Sequence, residues 1–421
     1  MPLTNRARIL YDSPLSHPRT AIPIVLFLAV LVIISARVLI RNFFGGMTPA
    51  GFQIFFLSLA GTLLISIIPL AILWFLDRRE PESKWLYLIA ILWGALIATA
   101  LAYPINTWIF ENIANLVKTT PILQTIYGSD AKTIIGAPLA GPIVEETTKG
   151  LGILLLFWLL KSEFDGVRDG FIYGALVGIG FNLLEAPFYV AKGFIATGDV
   201  PLYFQMADRF ALFGLAGHAL YSGLFGMGLG LARQTTRQLL RYAAPVTAWL
   251  LGFVGHFLNN AIGLILFSVA YLVTGKSIAT QESAKPAVSA VVEPFLNQWF
   301  QHSAIRAIGF FPFFLIVGVM LWQSGNWELQ VIRDGLADEQ EPVITKEEYE
   351  GVKGDRQFAT RRIPGLNRRT SNAIVRAQNE LAIRKWRVNH DGKDVETDPL
   401  VASWREELAR LRERIKTAVI S

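Results

Sequence analysis

Ionisable and amide side chains occur near the middle of four successive apolar segments in this 421-residue chain. They are Glu145, Glu146 and Lys149 in GPIVEETTKG, Glu185 in the second segment, His218 in the third, and His256 and Asn260 in the fourth. Charged groups inside a bilayer are rare and expensive, so they are candidate functional groups. Hydrolysis of a peptide bond there needs a base that activates water and donors for the developing oxyanion. Glutamate, histidine and asparagine can supply both.

Each of these segments places its polar residue at a similar distance from a basic residue at one end. The separations are 15 to 17 residues, for Glu146 from Lys161, Glu185 from Arg168, His218 from Arg233 and His256 from Arg241. At about 1.5 Å of rise per residue, this is roughly 22–26 Å, in the outer half of a hydrocarbon core about 30 Å thick. A lone intramembrane histidine or asparagine more often serves helix packing. The shared depth instead predicts one site assembled from all four segments.

The chain as a whole has the composition of a helical membrane protein. It is 52% hydrophobic and 17% charged, and its apolar residues form runs of about twenty, the length of a membrane-crossing helix. Because there is no cysteine, disulfides, thiolate metal sites and a cysteine nucleophile are excluded. We predict an all-α polytopic bundle of about eight transmembrane helices with a soluble helical C-terminal tail. The predicted spans are 22–40, 51–76, 85–108, 134–160, 168–191, 210–232, 245–273 and 303–323.

Three regions follow from this pattern: a leader at 1–21, the transmembrane bundle at 22–323 and a charged tail at 324–421. In the tail, 369–388 and 399–417 have helical spacing of apolar residues. Lysine and arginine number 11 on the leader and the even-numbered connections, against 8 on the other side. The positive-inside rule therefore predicts a multi-pass protein of the cell membrane, with both termini in the cytoplasm. The sequence does not identify a partner for the tail.

Small residues repeat every four positions in two of the predicted spans. The stripes are Gly170, Gly174, Gly178 and Asn182 before Glu185, and Ser222, Gly226 and Gly230 after His218. Such stripes let two helices approach closely. In the first polar segment, we expect Lys149 to neutralise a carboxylate, with Glu145 as its i,i+4 neighbour. Because Glu146 points about 100° away from Glu145, the two carboxylates should have different roles.

Four motifs in this order resemble the PrsW-type intramembrane proteases, glutamic-type enzymes distantly similar to CAAX-processing and bacteriocin-processing membrane proteases. The family pattern EExxK is matched from Glu145 to Lys149, and FxxxExxxY from Phe181 to Tyr189. A histidine of the sixth span is matched by His218, and HxxxN by His256 to Asn260. The loop FDGVRDG at 164–170 is also similar to the family's connection. The resemblance covers about 134–265 and implies a protease core at about 134–273.

For the proton chemistry, the resemblance implies that Glu145 activates water, with Glu185 or a histidine sharing the proton. Glu146 and Lys149 would orient and tune that base. The choice between Glu145 and Glu146 as the base stays open at this point.

For the oxyanion, the resemblance implies a site formed by His256 and Asn260, with His218 next to it. Phe181 and Tyr189 would be supporting residues. Members of the family are thought to cleave membrane-anchored proteins, anti-sigma factors among them, near the outer face of the membrane. We therefore expect a membrane-anchored protein substrate and the lipid bilayer as partners, no nucleic acid, and neither a metal nor another cofactor.

Three other functions compete with this interpretation. Two histidines and a glutamate could form a zinc site of a metalloprotease, although no HExxH motif is present. A proton-coupled transporter could use the same residues as a relay, although the sequence has no internal repeat and no pair of broken helices in matching halves. The third is a catalytically inactive scaffold whose tail recruits partners.

Overall fold

The computed structural model describes residues 3–79, 81, 83–198, 200, 202–277, 295–357 and 361–420, and every regular element in these ranges is a helix. The helices are α1 (Asn5–Ile9), α2 (Pro18–Leu39), α3 (Pro49–Leu76), α4 (Lys84–Leu92), α5 (Thr99–Thr119), α6 (Pro121–Tyr127), α7 (Ala131–Leu159), α8 (Val167–Thr197), α9 (Leu202–Arg209), α10 (His218–Gln234), α11 (Gln238–Thr274), α12 (Phe295–Gly309), α13 (Phe311–Leu336), α14 (Lys346–Lys353), α15 (Arg368–His390) and α16 (Pro399–Ile420). A π-helical turn, Ile40–Phe44, ends α2, and another, Trp93–Ala98, joins α4 to α5.

Six helical stretches of the described chain are long and apolar enough to cross a membrane. The stretch formed by α12 and α13 would be a seventh span, and it is bent by 74°. The 29-residue α7 packs among these helices but carries Glu145, Glu146 and Lys149 in its apolar sequence. These eight stretches correspond to the eight predicted segments, and the prediction of an all-α polytopic helical bundle is confirmed.

The centre of the bundle is the antiparallel pair of α8 and α10, which pack backbone against backbone. A Cβ atom on Gly174 would lie 2.3 Å from the carbonyl oxygen of Ser222, and one on Gly178 would lie 2.3 Å from that of His218. A Cβ on Gly170 would lie 2.0 Å from the carbonyl oxygen of Gly226. Real Cβ atoms do not approach backbone this closely, so only glycine allows this packing. The two predicted stripes therefore face each other and fix Glu185 and His218 side by side.

The tail folds around its own apolar core and lies against one end of the bundle. Its core includes Leu336, Val352, Leu381 and Leu408. The two helices predicted in the tail are α15 and α16. Helix α13 begins in the bundle and ends in the tail at Leu336, so one continuous helix joins the two parts.

Polar contacts join the tail to the connections between bundle helices and to α1. The Arg387 guanidinium of α15 pairs with Asp165 and donates to the carbonyl oxygen of Lys161, both in the turn between α7 and α8. The Asn379 amide donates to the carbonyl oxygen of Arg79 at 3.3 Å. In addition, the side chain of Arg8 in α1 donates to Ser403 Oγ of α16 at 3.2 Å. The tail is therefore attached to the turn that connects two of the site-bearing helices.

Glu380 in α15 gives the docked tail a dependence on pH. Burial, together with the nearby carboxylate of Glu163, raises the pKa of Glu380 to about 7 from its usual 4.5. The folded protein holds the proton of the Glu380 carboxyl more tightly than the unfolded chain does. The stability that this bound proton contributes is therefore fully present below about pH 4.5. That stability is lost as the pH rises through about 7.

We expect Glu380→Gln to raise the free energy of unfolding by about 1–3 kcal/mol at pH 8 and to change it little at pH 5. The side chain is 17% exposed, so solvent screens only part of this effect. Thermal unfolding of the purified protein at the two pH values measures it. The matched control is Glu347→Gln, at an exposed position of α14, which should give the same small change at both values. An equal effect of both substitutions at both pH values would contradict the prediction.

Candidate active site

Glu146 and Lys149 form a buried ion pair one turn apart on α7. Lys149 Nζ lies 2.5 Å from Glu146 Oε1, and the two residues are 0% and 4% exposed. The i,i+4 neighbour Glu145 is thus not the partner of Lys149, contrary to expectation, because the partner at i,i+3 faces the same neighbouring helices. Lys149 Nζ also lies 2.7 Å from Nδ1 of His218 and 4.7 Å from the ring centre of Phe181.

Glu146 accepts hydrogen bonds from two further helices. Nδ1 of His256 in α11 lies 2.8 Å from Oε1, and the hydroxyl of Ser222 in α10 donates to Oε2 at 3.3 Å. With Lys149, these contacts occupy both carboxylate oxygens. Glu146 is therefore enclosed by donors and holds α7, α10 and α11 together, which leaves it poorly placed to take a proton from water.

Glu145 has a different environment, although it is also buried, at 6% exposed. Its Oε1 accepts a hydrogen bond from Nδ2 of Asn106 in α5 at 3.1 Å. Its Oε2 is buried and has no hydrogen-bond partner among the described residues. This oxygen lies 3.9 Å from His218 Nδ1 and 3.9 Å from His256 Nε2. A buried acceptor without a partner is costly, so Oε2 is an atom of this site that is available to a ligand.

The contacts of each histidine indicate its tautomer. His256 Nδ1 donates to the Glu146 carboxylate, so the neutral ring presents a lone pair at Nε2, towards Glu145. His218 Nδ1 accepts from the Lys149 ammonium, and its Nε2 donates to Glu185 Oε2 at 2.9 Å. His256 thus keeps one nitrogen facing the site, whereas both nitrogens of His218 are engaged.

Glu185 on α8 has a cation of its own. Its Oε2 lies 2.5 Å from the guanidinium of Arg209, which belongs to the short helix α9. That guanidinium also lies 5.2 Å from the ring centre of Tyr189. Glu185 is therefore bound between Arg209 and His218, where it can orient the histidine.

One cavity of about 590 Å³ gathers most of the predicted residues. Its lining includes Glu145, Phe181, Glu185, Tyr189, His218, His256 and Asn260. Glu146 and Lys149 lie behind this lining. The expected convergence of α7, α8, α10 and α11 is thus present in the structure.

Asn260 lies where a neutral donor could act, on the same face of α11 as His256. Its Nδ2 donates to the carbonyl oxygen of Ala137 at 3.3 Å, which uses one of its two hydrogens. The absence of a side chain at Gly141 keeps this corner open. A Cβ there would lie 3.1 Å from Asn260 Nδ2 and 3.4 Å from Glu145 Oε1.

Asn106 and Arg209 are residues of the cavity that the sequence reasoning missed. Asn106 is a polar residue in the third predicted span, and that isolated amide was the signal that could have identified it. Arg209 was counted only among the eight basic residues of the second side. Both make direct contacts with predicted site residues, at Glu145 and Glu185.

Three residues of the cavity also have the composition of a zinc site. One ligand atom each from Glu145, His218 and His256 lies within 4.8 Å of the others. Glu145 Oε2 and His256 Nε2 fit a metal, and the bond from His256 Nδ1 to Glu146 is the usual support for a metal-binding histidine. His218 does not fit, because the ammonium of Lys149 faces its Nδ1 at 2.7 Å and its Nε2 donates to Glu185. The arrangement therefore offers two metal ligands and not three.

Comparisons with known proteins agree with the motif pattern. Residues 82–280 match the family model described as PrsW family intramembrane metalloprotease. The chain is 28% identical over 127 residues to Protease PrsW of Geobacillus kaustophilus (strain HTA426), an alignment that covers 29% of this chain and 52% of that protein. The chain thus spans about half the length of this curated relative. No solved structure was found to match.

The matched range includes α5, α7, α8, α10 and α11, which carry most of the cavity residues described above. The EExxK, FxxxExxxY and HxxxN residues surround one buried carboxylate within it. Over residues 82–280, the chain is therefore similar to the PrsW family of intramembrane proteases.

Proposed function

We propose that the protein is an intramembrane endopeptidase that hydrolyses a peptide bond of a membrane-anchored protein. The observation that carries the proposal is the free Oε2 of buried Glu145, which faces a cavity between two histidines. A carboxylate with one oxygen fixed by Asn106 and the other free is suited to general base catalysis. Glu146 is enclosed by Lys149, His256 and Ser222, which supports Glu145 as the base.

The reaction needs one proton to move twice. Glu145 Oε2 takes a proton from the water as the oxygen–carbon bond forms, and the same proton reaches the amide nitrogen as the carbon–nitrogen bond breaks. His256 Nε2 lies 3.9 Å away and can share that proton. Once protonated, the His256 ring becomes a donor to the oxyanion, together with the second hydrogen of Asn260 Nδ2.

The remaining charged groups of the site hold the others in position. Lys149 stabilises Glu146, which orients His256. Arg209 stabilises Glu185, which orients His218. We assign these four groups to positioning, since each is already saturated by its partner.

The location of the protein belongs to the same proposal. We place it in the cell membrane with both termini in the cytoplasm, so that the tail faces the cytoplasm and the cavity lies nearer the outer face. The distribution of lysine and arginine supports this orientation. An anti-sigma-factor-like regulator is a substrate of suitable type, because the resemblance implies a membrane-anchored protein.

A zinc-dependent peptidase is the second candidate, favoured by the proximity of Glu145, His218 and His256 and by the name of the matching family. It requires Lys149 to release His218 Nδ1, so we derive no step through a metal. Metal content of the purified protein and its activity after chelation separate the two candidates. One zinc per chain, with activity lost on chelation and restored by zinc, would establish the second.

The first test compares the N-termini of membrane proteins in cells that produce the wild type or Glu145→Gln. The substitution keeps the shape of the side chain and removes the base, so we expect a loss of about 10²- to 10⁴-fold in cleavage rate. New termini within or beside a membrane span, found only with the wild type, support the proposal and identify the substrate. Equal sets of termini, with both proteins folded and equally abundant, would refute it.

A further inference from the structure

We propose that Asn106 holds the attacking water against Glu145, and is thus a water-positioning residue of the reaction proposed above, on which this inference rests. Asn106 lies on α5, outside the four motifs of the sequence. Its side chain nevertheless contacts the proposed base directly, with Nδ2 3.1 Å from Glu145 Oε1.

Two buried acceptors remain at the ends of this hydrogen bond. Asn106 Oδ1 and Glu145 Oε2 are both buried, and neither has a partner among the described residues. Each belongs to the same planar group as an atom of the Asn106–Glu145 hydrogen bond, so both oxygens lie within a few bonds of that contact. Both residues line the cavity. Each of the two unpaired acceptors needs a donor, and one molecule with two hydrogens can serve both.

Water satisfies that requirement and gains a reactive orientation from it. A water that donates one hydrogen to Glu145 Oε2 and the other to Asn106 Oδ1 keeps its lone pairs directed away from both groups, towards the cavity. The proton on the Glu145 side is then the one transferred as the oxygen–carbon bond forms. The other hydrogen stays on the oxygen and is held by Asn106.

The position of α5 against α7 is fixed well enough for this role. The indole nitrogen of Trp93, in the π-helical turn that leads into α5, donates to the carbonyl oxygen of Thr148 at 3.1 Å, one turn from Glu145. Towards the other end, the ring of Phe110 packs so closely on Gly136 that a Cβ there would lie 2.7 Å from it. Asn106 lies between these two contacts, so its distance from Glu145 does not depend on a loop.

The side-chain chemistry of asparagine suits both tasks. The N–H group donates to the carboxylate and the carbonyl oxygen accepts from the water, with no added charge beside Glu145. Alanine removes both functions. Aspartate keeps the acceptor and places a second negative charge next to Glu145, but its protonated form again presents one donor and one acceptor.

The kinetic test uses the full-length protein in liposomes and the substrate identified by the comparison of N-termini. For Asn106→Ala we expect kcat to fall about 10- to 100-fold, the effect of losing a hydrogen bond to a charged group, with KM within about twofold. Asn106→Asp should be as slow near neutral pH and should regain activity as the pH falls, whereas Asn106→Ala should not. The matched control is Asn112→Ala, an exposed asparagine of the same helix whose amide donates to the carbonyl oxygen of Trp108, and it should keep wild-type kinetics.

A merely structural role would lower the amount of folded protein and leave kcat per folded molecule unchanged. That result, or an unchanged kcat in Asn106→Ala, would overturn the proposal. An equal loss in Asn112→Ala would do the same, because it would show a general effect on α5.

An experimental map of the wild type tests the water site without relying on catalysis. We expect solvent density within about 3.2 Å of both Glu145 Oε2 and Asn106 Oδ1, and its loss in Asn106→Ala. A metal ion on Glu145 Oε2, or a protein donor on Asn106 Oδ1, would overturn the proposal. If the wild type cleaves no membrane protein but the water is present, the proposed function fails while the water site stands, so the two failures are distinguishable.

Discussion

Replacing Lys149 by methionine should lower the free energy of unfolding by about 3–5 kcal/mol and abolish cleavage. The substitution keeps an unbranched side chain in a fully buried position and removes its charge. Glu146 would then be an uncompensated carboxylate in the interior, which is the costly way to break a buried ion pair. Thermal unfolding of the purified protein measures the loss, and proteolysis of the natural substrate measures the activity.

The double variant Glu146→Gln/Lys149→Met is the informative comparison. It removes both charges, so it should recover most of the stability lost in Lys149→Met. It should stay inactive, because His256 loses the carboxylate that orients it. If Lys149→Met unfolds at the wild-type temperature, the two residues are not coupled as the distance of 2.5 Å implies.

Replacing Gly226 by valine should remove the folded protein altogether, with a loss of more than about 4 kcal/mol. A Cβ on Gly226 would lie 1.8 Å from the carbonyl oxygen of Gly170, which is a backbone atom and cannot rotate away. Helices α8 and α10 would have to separate, and the contact of 2.9 Å between Glu185 and His218 would be broken.

The matched control is Gly318→Val in α13. No atom lies within 4 Å of a Cβ built there, so the protein should keep its yield and its unfolding temperature. Size-exclusion elution and thermal unfolding in detergent compare the two variants. Similar behaviour of Gly226→Val and Gly318→Val would show that the close approach of α8 and α10 is not required.

The sequence predicts the helices well, because a bilayer demands long apolar runs with internally bonded backbone. The glycine spacing also predicts a close helix pair, since a repeat of four keeps Gly170 and Gly174 on one helix face. The polar residues could be placed at a common depth because each residue of a helix adds a constant rise. The sequence does not predict which side chains on different helices become hydrogen-bond or ion-pair partners.

Lys149 shows why that choice could not be predicted. On an isolated helix, Glu145 at i,i+4 and Glu146 at i,i+3 are both within its reach. The outcome is set by His218 and His256, which come from other helices and face Glu146 or Lys149. Asn106 was missed for a similar reason, because its role depends on the packing of α5 against α7 and no local pattern marks it. The structure also extends the third predicted span to Thr119 and places a π-helical turn within it.

The pairing of carboxylates with cations has a consequence for the net charge of the candidate active site, called the centre below. Glu146 is matched by Lys149 and Glu185 by Arg209, which leaves Glu145 as the unmatched carboxylate among these groups. When Glu145 takes a proton, its negative charge disappears as an equal charge forms on the oxyanion. The total charge of the centre is then the same before and after the water attacks. Creating a new charge in a low-dielectric interior is expensive, so transferring an existing one lets the step proceed without a counter-ion entering the bilayer.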